Sequence, residues 1–235
     1  MSTKKFIVNS YNKEVCRQLV EKKYKHLIKQ KFGEYTHLCF DSIYTWVDIH
    51  YNTPRLRAVI GQIPCATFYY TEFLVSINPD TIHDIGCGMN FFKGILPNVI
   101  GIDAAPHSEC DIKDVFDDKF VVGHENQFQA VMSIDALHFT SITNFTNRVL
   151  DFARVIKSGG RGYIAMNAAR LVEATSKKDL IELFGADKPD AELISQYIDS
   201  EIRKLPLNFL VVDNLINKKL DDWMDGNIRL VIQKS

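Results

Sequence analysis

The sequence predicts an α/β protein: a doubly wound, mostly parallel sheet of seven strands, the last antiparallel, behind an N-terminal helical extension. Three observations predict it. From residue 81 onward, short apolar runs alternate with segments of helical periodicity, the pattern of strand–helix–strand units. The first of these runs ends in a glycine turn, the usual strand-to-helix junction of open parallel sheets. The last two apolar runs lie too close in sequence for a crossover helix and must pair antiparallel.

The elements follow in chain order. Residues 11–31 carry apolar side chains at Val15, Leu19, Val20, Tyr24, Leu27 and Ile28, which is helical spacing, with Lys22, Lys25 and Lys29 as the opposite stripe. Residues 34–65, rich in aromatics and holding Pro54 and Pro64, predict one or two short helices joined by loops. Residues 66–77 predict a helix stopped by Asn78-Pro79. Strands are expected at 81–86, 98–103, 110–115, 128–135, 161–167, 208–216 and 227–234. A helix is expected at 143–157, ended by Ser158-Gly159-Gly160, and two more at 168–184 and 190–204, parted by Gly185 and Pro189. Asp225-Gly226 supplies turn chemistry between the last two strands. Residues 1–65 therefore read as a helical extension or lid, and residues 66–235 as the main domain.

Composition narrows the class of function. The chain has 235 residues, is 46% hydrophobic and 24% charged, and shows no repeat or low-complexity segment, so it reads as an ordinary globular protein. Net charge is −1, yet residues 1–31 hold nine Lys/Arg against Glu14 and Glu21, a local +7 that leaves −8 for the rest. That segment could steer an anionic partner, and RNA is the candidate; short charge runs more often only solvate a helix face. Five scattered cysteines without a paired spacing argue against a disulfide framework and against a zinc site. No signal-peptide run and no membrane-length apolar stretch is present, so the expected location is the cytoplasm, with no membrane partner.

The chemistry concentrates in His83-Asp84-Ile85-Gly86-Cys87-Gly88-Met89-Asn90. Glycines at 86 and 88 let the backbone turn sharply and approach a ligand closely. Asp103 closes the second strand 17 residues after Gly86. A carboxylate there can accept from both hydroxyls of a ribose, so turn and carboxylate together predict a nucleoside site.

In order and spacing, DIGCG, GIDAAP, FQAVMSIDALHF and RVIKSGGRGYIAMN resemble class I methyltransferases dependent on S-adenosylmethionine (SAM), of the methyltransferase type 11-like kind. The resemblance covers residues 66–235 and implies a Rossmann-like methyltransferase fold with SAM as cofactor. Asp84, Gly86, Cys87 and Gly88 would lie along the methionine part of SAM. Asp103, with Ala104 beside it, would hold the ribose. Asp114, or second Asp111, would accept from the adenine amino group. Ser133 and its neighbours would flank the methyl group. Asp135 and His138 are the candidate general bases, Asp135 also reading as a helix cap and His138 as a loop histidine. Tyr11, Tyr44 and Trp46 could form a lid, although aromatics there are more often core.

Two departures from the family pattern stand out. Asn90 occupies the place of a third glycine, and the seven residues between Asp103 and Asp111 leave no room for a crossover helix, which brings Pro106 and His107 near the adenine edge. The final strand pair resembles the family's sheet end and argues against a nicotinamide-dependent oxidoreductase. Residue 135 lacks the Pro-Pro context of amino-directed DNA methyltransferases, and no Pro-Cys nucleophile is present, so a small molecule or protein is the expected acceptor. The alternative is a catalytically inactive methyltransferase-like module that binds SAM or scaffolds a partner.

Overall fold

The computed structural model describes residues 13–50, 81–88, 90–94, 98–106, 108–134, 136–137, 140–216 and 226–235. It divides into two compact units, Met1–Ser76 and Ile77–Ser235. The expected helix at 66–77 and the lid candidate Tyr11 lie outside the described residues.

In the first unit, α1 (Lys13–Phe32) and α2 (Thr36–His50) are joined by a single 3-10 turn at Gly33–Tyr35. Cys16, Val20, Ile28 and Phe32 of α1 pack against Cys39, Phe40, Ile43 and Val47 of α2. Leu19 and Leu27, expected on the apolar stripe, are 38% and 47% exposed. The buried stripe instead repeats every fourth residue from Cys16, so it is Cys16 and Phe32 that complete it.

The second unit is the predicted α/β sheet, with one fewer strand than expected. Its strands are β1 (Ile82–Ile85), β2 (Val99–Ile102), β3 (Phe128–Ile134), β4 (Ile156–Asn167), β5 (Asn208–Ile216) and β6 (Gly226–Gln233). Their order is β2-β1-β3-β4-β6-β5. β2, β1, β3 and β4 run parallel, and β6 lies antiparallel between β4 and β5. The winding reverses at β1, which makes the gap beyond its C-terminal end the topological switch point of a Rossmann-like sheet.

Among the described residues the seven-stranded expectation is corrected to six. The predicted strand at 110–115 is reduced to a single parallel bridge, Ile102 to Ile112. The cause is local. Asp111 and Ile112 both send their N–H to Gly101 O, Asp114 Oδ1 takes the N–H of Val115, and Asp117 caps the next helix through Phe120 N. Aspartates that bond their own backbone turn the chain off the sheet before a second rung can form.

The helices of this unit are α3 (Asp118–Gly123), α4 (Phe145–Val155), α5 (Ala168–Glu173), α6 (Lys177–Phe184) and α7 (Ala191–Arg203). α4 stops at Val155, two residues before the expected end at 157, and Ser158-Gly159-Gly160 lies inside β4, which starts at Ile156 and whose register with β3 is irregular there. The helix expected over 168–184 is two, because Ser176 N-caps α6 by accepting from Asp179 N–H. Gly185 (φ +71°) closes α6, and Asp190 caps α7 through Leu193 N–H. One continuous core holds Ile85, Val131, Phe145, Phe152, Ile164, Ile198 and Leu230. Among the described residues no helix is long and apolar enough to cross a membrane.

Candidate functional site

β1 and β2 end side by side, with Asp84 paired in register to Gly101 and Ile85 to Ile102. Past Ile85 the chain turns on Gly86 (φ +77°) and Gly88 (φ +55°). The turn leans on the neighbouring strand: Gly86 N–H and Cys87 N–H both donate to Ile102 O, at 2.7 and 3.3 Å. Residue 86 must be glycine for two reasons. Its φ lies in the left-handed region, and a Cβ there would stand 2.1 Å from Ala136 Cβ. At Gly88 a Cβ would meet nothing within 4 Å, so its face is open space.

Asp103 follows directly on β2, and its carboxylate is drawn into the turn. Oδ2 accepts from Gly88 N–H at 2.8 Å, and Oδ1 from Ala105 N–H at 2.6 Å. Each oxygen keeps a lone pair for a ligand. The bond to Ala105 is an Asx turn, whose signature is an Asp two residues before the accepted N–H. Ala104 lies between them, exposed.

Asp84 is 2% exposed, and no ion pair forms with it among the described residues. Burial, and then the charge of Asp103, push its carboxyl up to about 7. Burial first, then the charges of Asp84 and Asp103, lift the Cys87 thiol to about 12, so this cysteine is a neutral wall and not a nucleophile.

The loop that replaces the missing crossover helix is knitted to the glycine turn. Glu109 N–H donates to Gly88 O at 3.0 Å. Asn90, with φ +53° and 8% exposed, sends its amide to Glu109 O and to Asp111 Oδ2, each at 3.1 Å. Asp111 also accepts from Gly101 N–H at 2.9 Å and pairs with Lys93. A Cβ on Gly101 would stand 2.6 Å from Asn90 Oδ1 and 2.7 Å from Cys87 Sγ, so this glycine makes room for the loop. The sequence marks Asn90 only as a tolerated substitute for glycine; its bracing amide has no local signature, because both its partners lie some twenty residues on.

The structure thus brings Asp84, Gly86, Cys87, Gly88, Asp103 and Ala104 to one place. Asp111 sits on the far side of Asn90, its oxygens engaged. Asp114 is exposed, and its carboxylate accepts from the N–H of its neighbour Val115 at 2.8 Å. Ser133 is fully buried and donates to Ile85 O at 2.8 Å, which ties β3 to β1 at the switch point. Asp135, His138 and His107 lie outside the described residues, and so does the side chain of Trp46. Tyr44 is engaged within its own unit, stacked on Phe40 with Arg17 over its ring at 5.3 Å. Among the described residues no group of His, Cys, Asp and Glu is placed to hold a metal.

Comparison with known proteins gives likenesses of fold. No family model and no curated protein matches the chain. A TehB-like SAM-dependent methyltransferase from Corynebacterium glutamicum is 16% identical, with 70% of this chain and 86% of that one covered, at a TM-score of 0.43. A SAM-dependent methyltransferase from Anabaena variabilis is 14% identical, with 72% and 84% covered, at 0.45. A Haloferax volcanii protein solved in complex with the Trm112 methyltransferase activator is 17% identical, with 70% and 88% covered, at 0.42.

Proposed function

We propose that the chain binds SAM at the tips of β1 and β2 and passes its methyl group to a small-molecule or protein acceptor. One observation carries the reading: the 2.8 Å hydrogen bond from Gly88 N–H to Asp103 Oδ2, which sets a glycine turn and a strand-end carboxylate together at the switch point.

The residues fit an adenosyl group with a cationic tail. The free lone pairs of Asp103 suit the two ribose hydroxyls, and the open face of Gly88 admits close approach. Asp84, buried beside a second carboxylate, suits the ammonium of the methionine part, which would hold its proton off. Gly86, Cys87 and Ala104 form the walls. Asp114 is the preferred adenine candidate, since the oxygens of Asp111 already accept from Gly101, Asn90 and Lys93.

When bound, SAM supplies a methyl group already activated on a sulfonium. The chain's part is to align the acceptor and exclude water. Where the acceptor must lose a proton, Asp135 and His138 follow β3 and are the proposed bases. Ser133 contributes by locking β3 to β1, holding the acceptor side in register with the cofactor side. A cytoplasmic location and the assignment of residues 1–65 as a lid belong to the same proposal.

Calorimetry with SAM and S-adenosylhomocysteine tests it. Asp103→Ala removes charge-assisted bonds worth ~2 kcal/mol, so binding should weaken by roughly 30-fold. Unchanged affinity in a folded variant would overturn the site. Transfer of label from SAM to a cell extract separates an enzyme from a module that only binds.

A further inference from the structure

We infer that the outer face of α1 is a docking surface for the phosphate backbone of a nucleic acid, a second binding site that belongs to the first unit alone. Lys22, Lys25, His26 and Lys29 are exposed and spaced three, four and seven residues apart, so they share one face. No acidic residue occurs between Lys22 and Gly33. Glu21 pairs with Lys25 at 2.8 Å and accepts from the Tyr44 hydroxyl, and neither Lys22 nor Lys29 forms an ion pair among the described residues.

Like charges at this spacing weaken the helix that carries them. A partner that neutralises them removes that penalty. The run from Lys22 to Lys29 rises ~10 Å along the axis, about three phosphates along one strand of a duplex. The remainder of the chain, outside residues 1–31, is net −8, so a polyanion has reason to settle on this face and not elsewhere.

Lipid headgroups would present phosphate too, but the helix has no apolar face left for a bilayer. Cys16, Val20, Ile28 and Phe32 are spent on α2. Leu19 and Leu27, half in water, are separated by Lys23 and form no continuous stripe.

Fluorescence anisotropy with the full chain tests this, using a labelled 20-nucleotide RNA, a 20-base-pair DNA duplex and phosphatidylserine vesicles. Wild type should bind nucleic acid with an affinity that falls steeply from 50 to 200 mM salt, and the stronger arm identifies RNA or DNA as the partner. Lys22→Gln with Lys29→Gln should weaken binding about 10-fold at low salt and lower the salt slope by roughly 2. Lys178→Gln, an exposed lysine of the other unit, should leave both unchanged. No salt-dependent binding, an unaltered slope in the double variant with its melting curve intact, or tighter binding to vesicles than to either nucleic acid would overturn the inference. The site is independent of the glycine turn, so its failure leaves the SAM reading standing.

Discussion

Asp84 lies in β1 and Asp103 just past the end of the neighbouring β2, and their environments are opposite. Asp103 is half-buried and bonded by two backbone N–H groups, whereas Asp84 is buried with no described cation beside it. Its carboxyl sits at about 7 in the folded chain against an ordinary value of 3.8. Between those values the folded protein keeps a proton that the unfolded chain has released. Stability therefore falls as pH rises from about 4 to 7 and stays low above that, by at most roughly 4 kcal/mol. Asp84→Asn should match wild type near pH 4.5 and exceed it at pH 8, read from urea midpoints. A wild type and a variant with the same pH slope would remove this account of Asp84. At this scale the sequence is legible where chemistry forces the residue type, as in the glycine of a left-handed turn or the carboxylate at a strand end. It is silent on Asn90, whose role is set by residues distant in the chain.

Elements were legible wherever one physical period dominated. β1, β2, β3 and β6 fall within a residue or two of their apolar runs, since buried parallel and central strands read as continuous hydrophobic stretches. The strand at 110–115 is reduced to one bridge because CDIKDV alternates only as far as Ile112, and Asp114 then takes the N–H of Val115 on its own side chain. The 168–184 helix failed at a cap: Thr175 and Ser176 interrupt a good apolar period. Thr175 does more than end α5. It is 7% exposed, its Oγ1 donates to Leu171 O and accepts from Ile142 N–H at 2.8 Å. Thr175→Val keeps the shape and strands a buried N–H, so it should cost about 1–3 kcal/mol by thermal or chemical denaturation, while Thr175→Ser should cost much less.

At the scale of the molecule, protection should follow the sheet order. β1, β3, β4 and β6 are paired on both sides, while among the described residues β2 meets only the single Ile102–Ile112 bridge on its outer side. Hydrogen exchange should therefore be slowest in β3 and β4 and faster by orders of magnitude at Asp103, whose N–H rests on that bridge. Equal protection across β2 and β3 would mean the edge is covered in solution. The antiparallel pairing of β5 with β6 was foreseeable from their short spacing, whereas the strand order was not, because it is set by contacts between runs distant in the chain. A methyl group added at residue 86 would collide with Ala136, so the turn after β1 lies directly against the start of the loop after β3. On the proposed reading this contact couples the two loops, so whatever settles against the first sets the posture of the second. On the proposed reading, substrates should enter in a compulsory order, cofactor before acceptor, and initial-velocity and product-inhibition patterns should show intersecting, ordered kinetics instead of random entry.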